Sequence, residues 1–90
     1  MSDALALTAV HISSAVVSVL PAQRDEVAQT IEAMPGTEIH YRTDSKLVIV
    51  IEAPNSGTVA ERLTEIAALY GVLSANMVFE QIDRPEDHPQ

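Results

Sequence analysis

Ninety residues in the order strand, helix, strand, strand, helix, strand predict an α+β domain. Three observations carry that expectation. An opening strand-like run, His11 to Leu20, meets Pro21 and then helix chemistry. The helix-to-strand passages echo each other, Met34-Pro35-Gly36 in the first half and Leu69-Tyr70-Gly71 in the second. The run Lys46 to Glu52 alternates in the strand period of two. Right-handed crossovers then give a four-stranded antiparallel sheet with both helices on one face. This is the ferredoxin-like βαββαβ arrangement, with strands one and three central and strands two and four at the edges.

The first strand runs from about Val10 to Leu20. Pro21 suits the first turn of a helix, where its missing N–H costs nothing. Asp25 and Glu26 favour the positive end of that helix. Val27, Ile31 and Met34 form its buried stripe, and Pro35-Gly36 ends it. Strand two, Thr37 to Arg42, places Ile39 and Tyr41 on one face and Glu38, His40 and Arg42 on the other. Thr43-Asp44-Ser45 is short enough for a hairpin into strand three. Pro54 to Gly57 breaks the pattern before the second helix. Thr58 with Glu61 forms a capping box there, with Asn55 and Ser56 as alternative caps. Val59, Leu63, Ile66 and Tyr70 share one stripe, and Gly71 suits a left-handed C-terminal cap. Strand four extends from Val72 to about Gln81. The expected domain is 9–82, between a loose lead-in at 1–8 and a disordered acidic tail at 83–90.

Thirteen acids against five Lys and Arg give a formal charge of -8. That field repels nucleic acid and attracts a cationic partner. With no cysteine, disulfides, thiolate metal sites and Cys nucleophiles are excluded. Met1 to Val10 lacks a basic stretch and carries Asp3, a poor export signal, and no apolar run reaches membrane-spanning length. The expected setting is cytoplasmic, without stable membrane insertion.

Two helices cover one side of a sheet, and the period of two sorts the rest. Ala15, Val17, Val19, Leu47, Ile49, Ile51, Ala75, Met77 and Phe79 are expected inward. The open face then carries Ile12, Val16, Val48, Val50 and Val78 among Ser14, Ser18, Ser74 and Asn76. Lys46, Glu52 and Glu80 stand at its margins. A face made only for solvent would hold more charge on the central strands. An apolar platform with acidic margins fits an apolar segment that carries basic residues. Exposed valines are also ordinary β-formers, and that reading stands beside the first.

No active site assembles. His11, His40 and His88 have no partners at metal-ligand spacing, so neither a metal nor a cofactor is expected and the chain reads as a non-enzyme. Ser13-Ser14 lacks a nucleophile-elbow setting, and Glu61 with Glu65 reads as a solvated helix face. The three glycines sit at helix ends, not in a phosphate loop. RNA binding on such a sheet needs stacking aromatics and basic surroundings; the only Phe is expected inward.

His11-Ile12-Ser13-Ser14-Ala15-Val16-Val17, Met34-Pro35-Gly36 with Glu38, Lys46 through Ala53, and Gly71 through Ala75 before Val78 form an ordered set. On these residues the sequence resembles the NapD family, small cytoplasmic maturation chaperones of periplasmic nitrate reductase. The resemblance covers roughly residues 11–81. What the resemblance implies is binding of the twin-arginine signal peptide of the catalytic subunit NapA, restraining export until the molybdenum cofactor is installed. Face assignment, rather than a family motif, nominates Ile12, Ser14, Val16, Ser18, Val48, Val50, Asn76 and Val78 as the peptide platform. Glu52 and Glu80 are the candidate arginine partners, and a monomer is favoured. The alternative is a small-molecule-binding regulatory module of ferredoxin-like topology. An acylphosphatase-type enzyme is disfavoured, because Leu20-Pro21-Ala22-Gln23 with Arg24 makes a poor phosphate cradle.

Overall fold

β1 (Val10–Val19) lies between β3 (Lys46–Ala53) and β4 (Val72–Asp83), and β2 (Thr37–Arg42) closes the other edge. The order β2-β3-β1-β4 is antiparallel throughout, as the two crossovers require. The computed structural model describes residues 10–83. The expected lead-in at 1–8 and the tail beyond Asp83 lie outside the described residues; Asp83 itself ends β4.

Between β1 and β2 the chain makes a 3-10 turn, Pro21–Gln23, that runs into helix α1 (Arg24–Glu32). Pro21 starts that turn, where no N–H is needed. Helix α2 (Ser56–Ala67) is capped by Asn55, whose side-chain oxygen accepts the Thr58 N–H at 2.7 Å. The cap is therefore Asn55 rather than a Thr58–Glu61 box. Both helices stop where a glycine takes positive φ, 73° at Gly36 and 94° at Gly71. At Gly36 a side chain is excluded twice over. The φ disfavours it, and a Cβ would collide with the Glu52 carbonyl oxygen. That close approach lets the Gly36 carbonyl accept the Glu52 N–H at 2.8 Å, which ties the end of α1 to β3.

The core is aliphatic. Ala15, Val17 and Val19 of β1 meet Leu47, Ile49, Ile51 and Ala53 of β3 on one face, and α1 and α2 cover them with Val27, Ala28, Ile31, Val59 and Ile66. Each fully buried Val, Ile or Leu contributes roughly 1.5–3 kcal/mol. The α2 stripe differs from the expected one at its end. Tyr70 is exposed, and Leu69 packs against the core instead, because the helix stops at Ala67 and the chain turns out toward Gly71. Among the described residues no helix is long and apolar enough to cross a membrane.

Candidate functional site

The sheet face opposite the helices is uncovered, and cross-strand register fixes what it displays. In β1 and β3 the period of two holds without interruption from Ile12 to Ser18 and from Lys46 to Glu52. Opposed residues share a face. The open face is therefore floored by Ile12 opposite Glu52, Ser14 opposite Val50, Val16 opposite Val48, and Ser18 opposite Lys46. These side chains are half-buried except the two charged ends, which are exposed.

The edge strands do not keep the simple alternation. β2 slips by one residue at His40, so Ile39 opposes Ile49 but Tyr41 opposes Val48. β4 slips at Val78: Met77 opposes Ala15 and Phe79 opposes Ser14. It slips again at Leu73, between Val72 opposite Val19 and Ser74 opposite Ser18. An extra residue in a β-bulge reverses the facing of everything beyond it. Phe79, expected inward, stands on the open face and is 58% exposed. Tyr41, expected to share a face with Ile39, also stands on the open face and is 64% exposed. Met77 does face the helix side but lies at its rim, 42% exposed rather than buried.

The nominated residues now sort themselves. Ile12, Ser14, Val16, Ser18, Val48, Val50, Glu52 and Asn76 all lie on the open face. Val78 is the additional residue of its bulge and is exposed without a cross-strand partner in the register. Glu80 does not border the platform. It opposes buried Ser13 on the helix side, and its Oε2 lies 3.3 Å from His11 Nδ1. The bulge at Val78 that brings Phe79 to the platform is what takes Glu80 away.

Sequence reasoning missed four platform residues: Tyr41, Phe79, Gln81 and, as a site residue, Glu38. One signal was present in β4, where Met77-Val78-Phe79 is an unbroken apolar triplet that alternation alone does not explain. Across the platform the rows read Lys46–Ser18–Ser74, then Tyr41–Val48–Val16–Asn76, then Glu38–Val50–Ser14–Phe79, then Glu52–Ile12–Gln81.

Charge is divided along the strands. At one end Lys46 Nζ donates to Ser18 Oγ at 3.3 Å. At the other, Glu38 and Glu52 join Glu32 around a notch of about 320 Å³ that is also lined by Gly36, Thr37 and Val50. Glu32 is held by Arg42 Nη2 at 3.3 Å and Glu38 by His40 Nε2 at 3.0 Å, while Glu52 has no cation within 4.0 Å among the described residues. Elsewhere, His11 Nδ1 lies 3.4 Å from Ser56 Oγ as well as near Glu80. Both contacts fall on one ring nitrogen. A relay needs the acid and the hydroxyl on opposite nitrogens, so this group does not activate Ser56. Among the described residues no group of three or more His, Cys, Asp and Glu is placed to hold a metal.

Residues 10–84 match the model of the NapD protein family. The chain belongs to the NapD family. A curated relative, Chaperone NapD of Paracoccus pantotrophus, is 40% identical over 72 residues, which is 80% of this chain and 64% of that protein. The chain thus spans about two thirds of that relative's length. The solution structure of the E. coli Tat proofreading chaperone protein NapD is similar in fold, with a TM-score of 0.74 at 24% identity over 90% of this chain and 88% of that one. A transcriptional regulatory protein of the AsnC family from Pyrococcus furiosus is also similar, with a TM-score of 0.67 at 18% identity over 86% of this chain and 55% of its own. The topology is therefore shared by NapD proteins and by a regulator, and the sequence family distinguishes them.

Proposed function

We propose that this chain is a cytoplasmic chaperone that binds the twin-arginine signal peptide of the periplasmic nitrate reductase precursor, NapA, on its open sheet face. It holds the precursor back from export until the molybdenum cofactor is inserted. Membership of the NapD family supports the reading, together with the relatives described as Chaperone NapD and as a Tat proofreading chaperone. The carrying observation is the platform itself, an apolar floor of Ile12, Val16, Val48 and Val50 with carboxylates at one end only. A leader of this kind presents paired arginines and then an apolar, helix-prone stretch. The arginines meet Glu52 and Glu38, and the apolar stretch lies over the valines.

Two geometric facts favour a helix on the face over a strand added at an edge. Three interstrand steps separate β2 from β4, about 14 Å, which admits a helix of about 10–12 Å diameter. Both edge strands are bulged, which interrupts the regular row of backbone groups that strand addition requires. Ser14 and Ser18 keep the floor low enough for close approach. From Ile12 to Ser18 the floor is about 20 Å long, enough for about 13 helical residues.

Calorimetric titration with the leader peptide tests the proposal. Binding is expected, and replacing both arginines by lysine should weaken it, since a guanidinium grips a carboxylate in two-pronged fashion and an ammonium does not. Lack of binding by the folded protein would refute the reading.

A further inference from the structure

We infer that Tyr41 and Phe79 are specificity-determining side walls, which centre a helical segment over β1 and β3 and set the register of its apolar face. This rests on the reading of the open face as the peptide site. The two rings are brought there by separate bulges, at His40 in β2 and at Val78 in β4. They stand on opposite edges, in adjacent rows of the platform: Tyr41 in the row of Val48 and Val16, Phe79 in the row of Val50 and Ser14. Between them the floor holds only Val and Ser side chains.

A shallow, flat floor gives an apolar helix no preferred lateral position. Exposed rings at both edges do, because the two together gain contact only when the helix lies between them. The offset by one row, about 7 Å along the strands, matches just over one helical turn. The rings therefore touch the two flanks of the helix at successive turns. A segment with medium apolar side chains on its lower face and flanks fits; one with charge on a flank does not. The partner's basic group is placed independently by Glu38 and Glu52 at the acidic end, so charge sets which end goes where and the rings set the roll of the helix about its axis.

Roughly 60 Å² of each ring is covered in such a pose, which corresponds to about a tenfold loss of affinity on removal of either ring. The experiment uses calorimetry of the unaltered protein, Tyr41→Ser, Phe79→Ser and the double variant with the twin-arginine leader peptide. Thermal melts accompany each titration. Expected are a roughly tenfold weakening for each single variant, a larger loss for the pair, and near-unaltered melts, since both rings are exposed. Tyr41→Phe should bind almost normally, because the wall needs the ring rather than the hydroxyl.

A second readout avoids truncation. The chain has two tyrosines and no tryptophan. With Tyr70→Phe, Tyr41 is the sole emitter, and acrylamide quenching should fall when a leader lacking Tyr and Trp is bound. If the unaltered protein does not bind, the peptide reading and the walls fall together. If it binds while the double variant binds equally and Tyr41 stays open to quencher, the walls are refuted and the peptide reading stands.

Discussion

Val16→Asp separates binding from folding at the centre of the platform. Val16 is half-buried and faces outward, flanked by Val48 on one side and Asn76 on the other. In the free protein the new carboxylate reaches water. The cost is part of one Val burial plus the poor fit of Asp to a central strand, about 1–2 kcal/mol. In a domain of this size that lowers the melting temperature by about 5–15 °C. In the complex the same carboxylate lies under an apolar helix without a partner, at a cost of about 3 kcal/mol, on the order of 100-fold in Kd. Ile49→Asp is the control on the other face. Ile49 is fully buried among Ala15 and Ile39, so the change loses an Ile side chain and buries an unpaired acid. Those two costs together exceed about 5 kcal/mol and approach the whole stability of a 90-residue domain, roughly 4–13 kcal/mol. Urea melts and calorimetry with the leader peptide measure both effects. Should Val16→Asp remain folded and bind with unaltered affinity, the peptide does not lie on this face.

The remaining expectations concern single groups. Glu52→Gln should weaken leader binding and reduce its salt dependence in stopped-flow association. Glu80→Gln, on the helix side beside His11, should leave both unchanged; an equal effect from the two would contradict the placement of the arginines. Gly36→Ala should destabilise by about 2–3 kcal/mol, from the positive φ and from displacement of the Glu52 N–H···O bond, read as a lower urea midpoint at unchanged slope. Asn55→Ala should cost about 1 kcal/mol through loss of the cap on Thr58, with no change in leader affinity.

The central strands were readable because their alternation is unbroken. Val17 and Ile49 could be assigned inward, and Val16 and Val48 outward, from the period of two alone. The strand order followed from chain connectivity, and Gly36 and Gly71 marked the helix ends. The edges were not readable to the same depth. A bulge adds one residue without a residue type that announces it: His40, Leu73 and Val78 are ordinary strand residues, and none is Gly. Beyond each one every facing inverts, which is why Tyr41, Phe79 and Glu80 went to the wrong sides while Asn76, between the two β4 slips, went to the right one. Tyr70 failed for a different reason. Its spacing fits the α2 stripe, but the helix has already ended, and a helical period has no meaning past the last turn.

Confinement of the slips to β2 and β4 gives this sheet two unequal modes of evolutionary change. The inner pair is locked by a core that tolerates neither insertion nor deletion, since one residue there would expose Leu47, Ile49 and Ile51 together. The outer pair can absorb a gained or lost residue as a bulge opened or closed, while a slip that closes a bulge at unchanged length exchanges one whole set of side chains for another in a single step. Closing the β4 bulge with Val78 retained would pair Val78 with Ser14, turn Phe79 to the helix side and bring Glu80 opposite Ile12 on the open face, exchanging a ring for a carboxylate with no codon substituted, whereas deletion of Val78 itself would leave Phe79 opposite Ser14. Among homologues of this fold, the position of the outer-strand bulges should therefore track changes of client more closely than point replacements in the floor do.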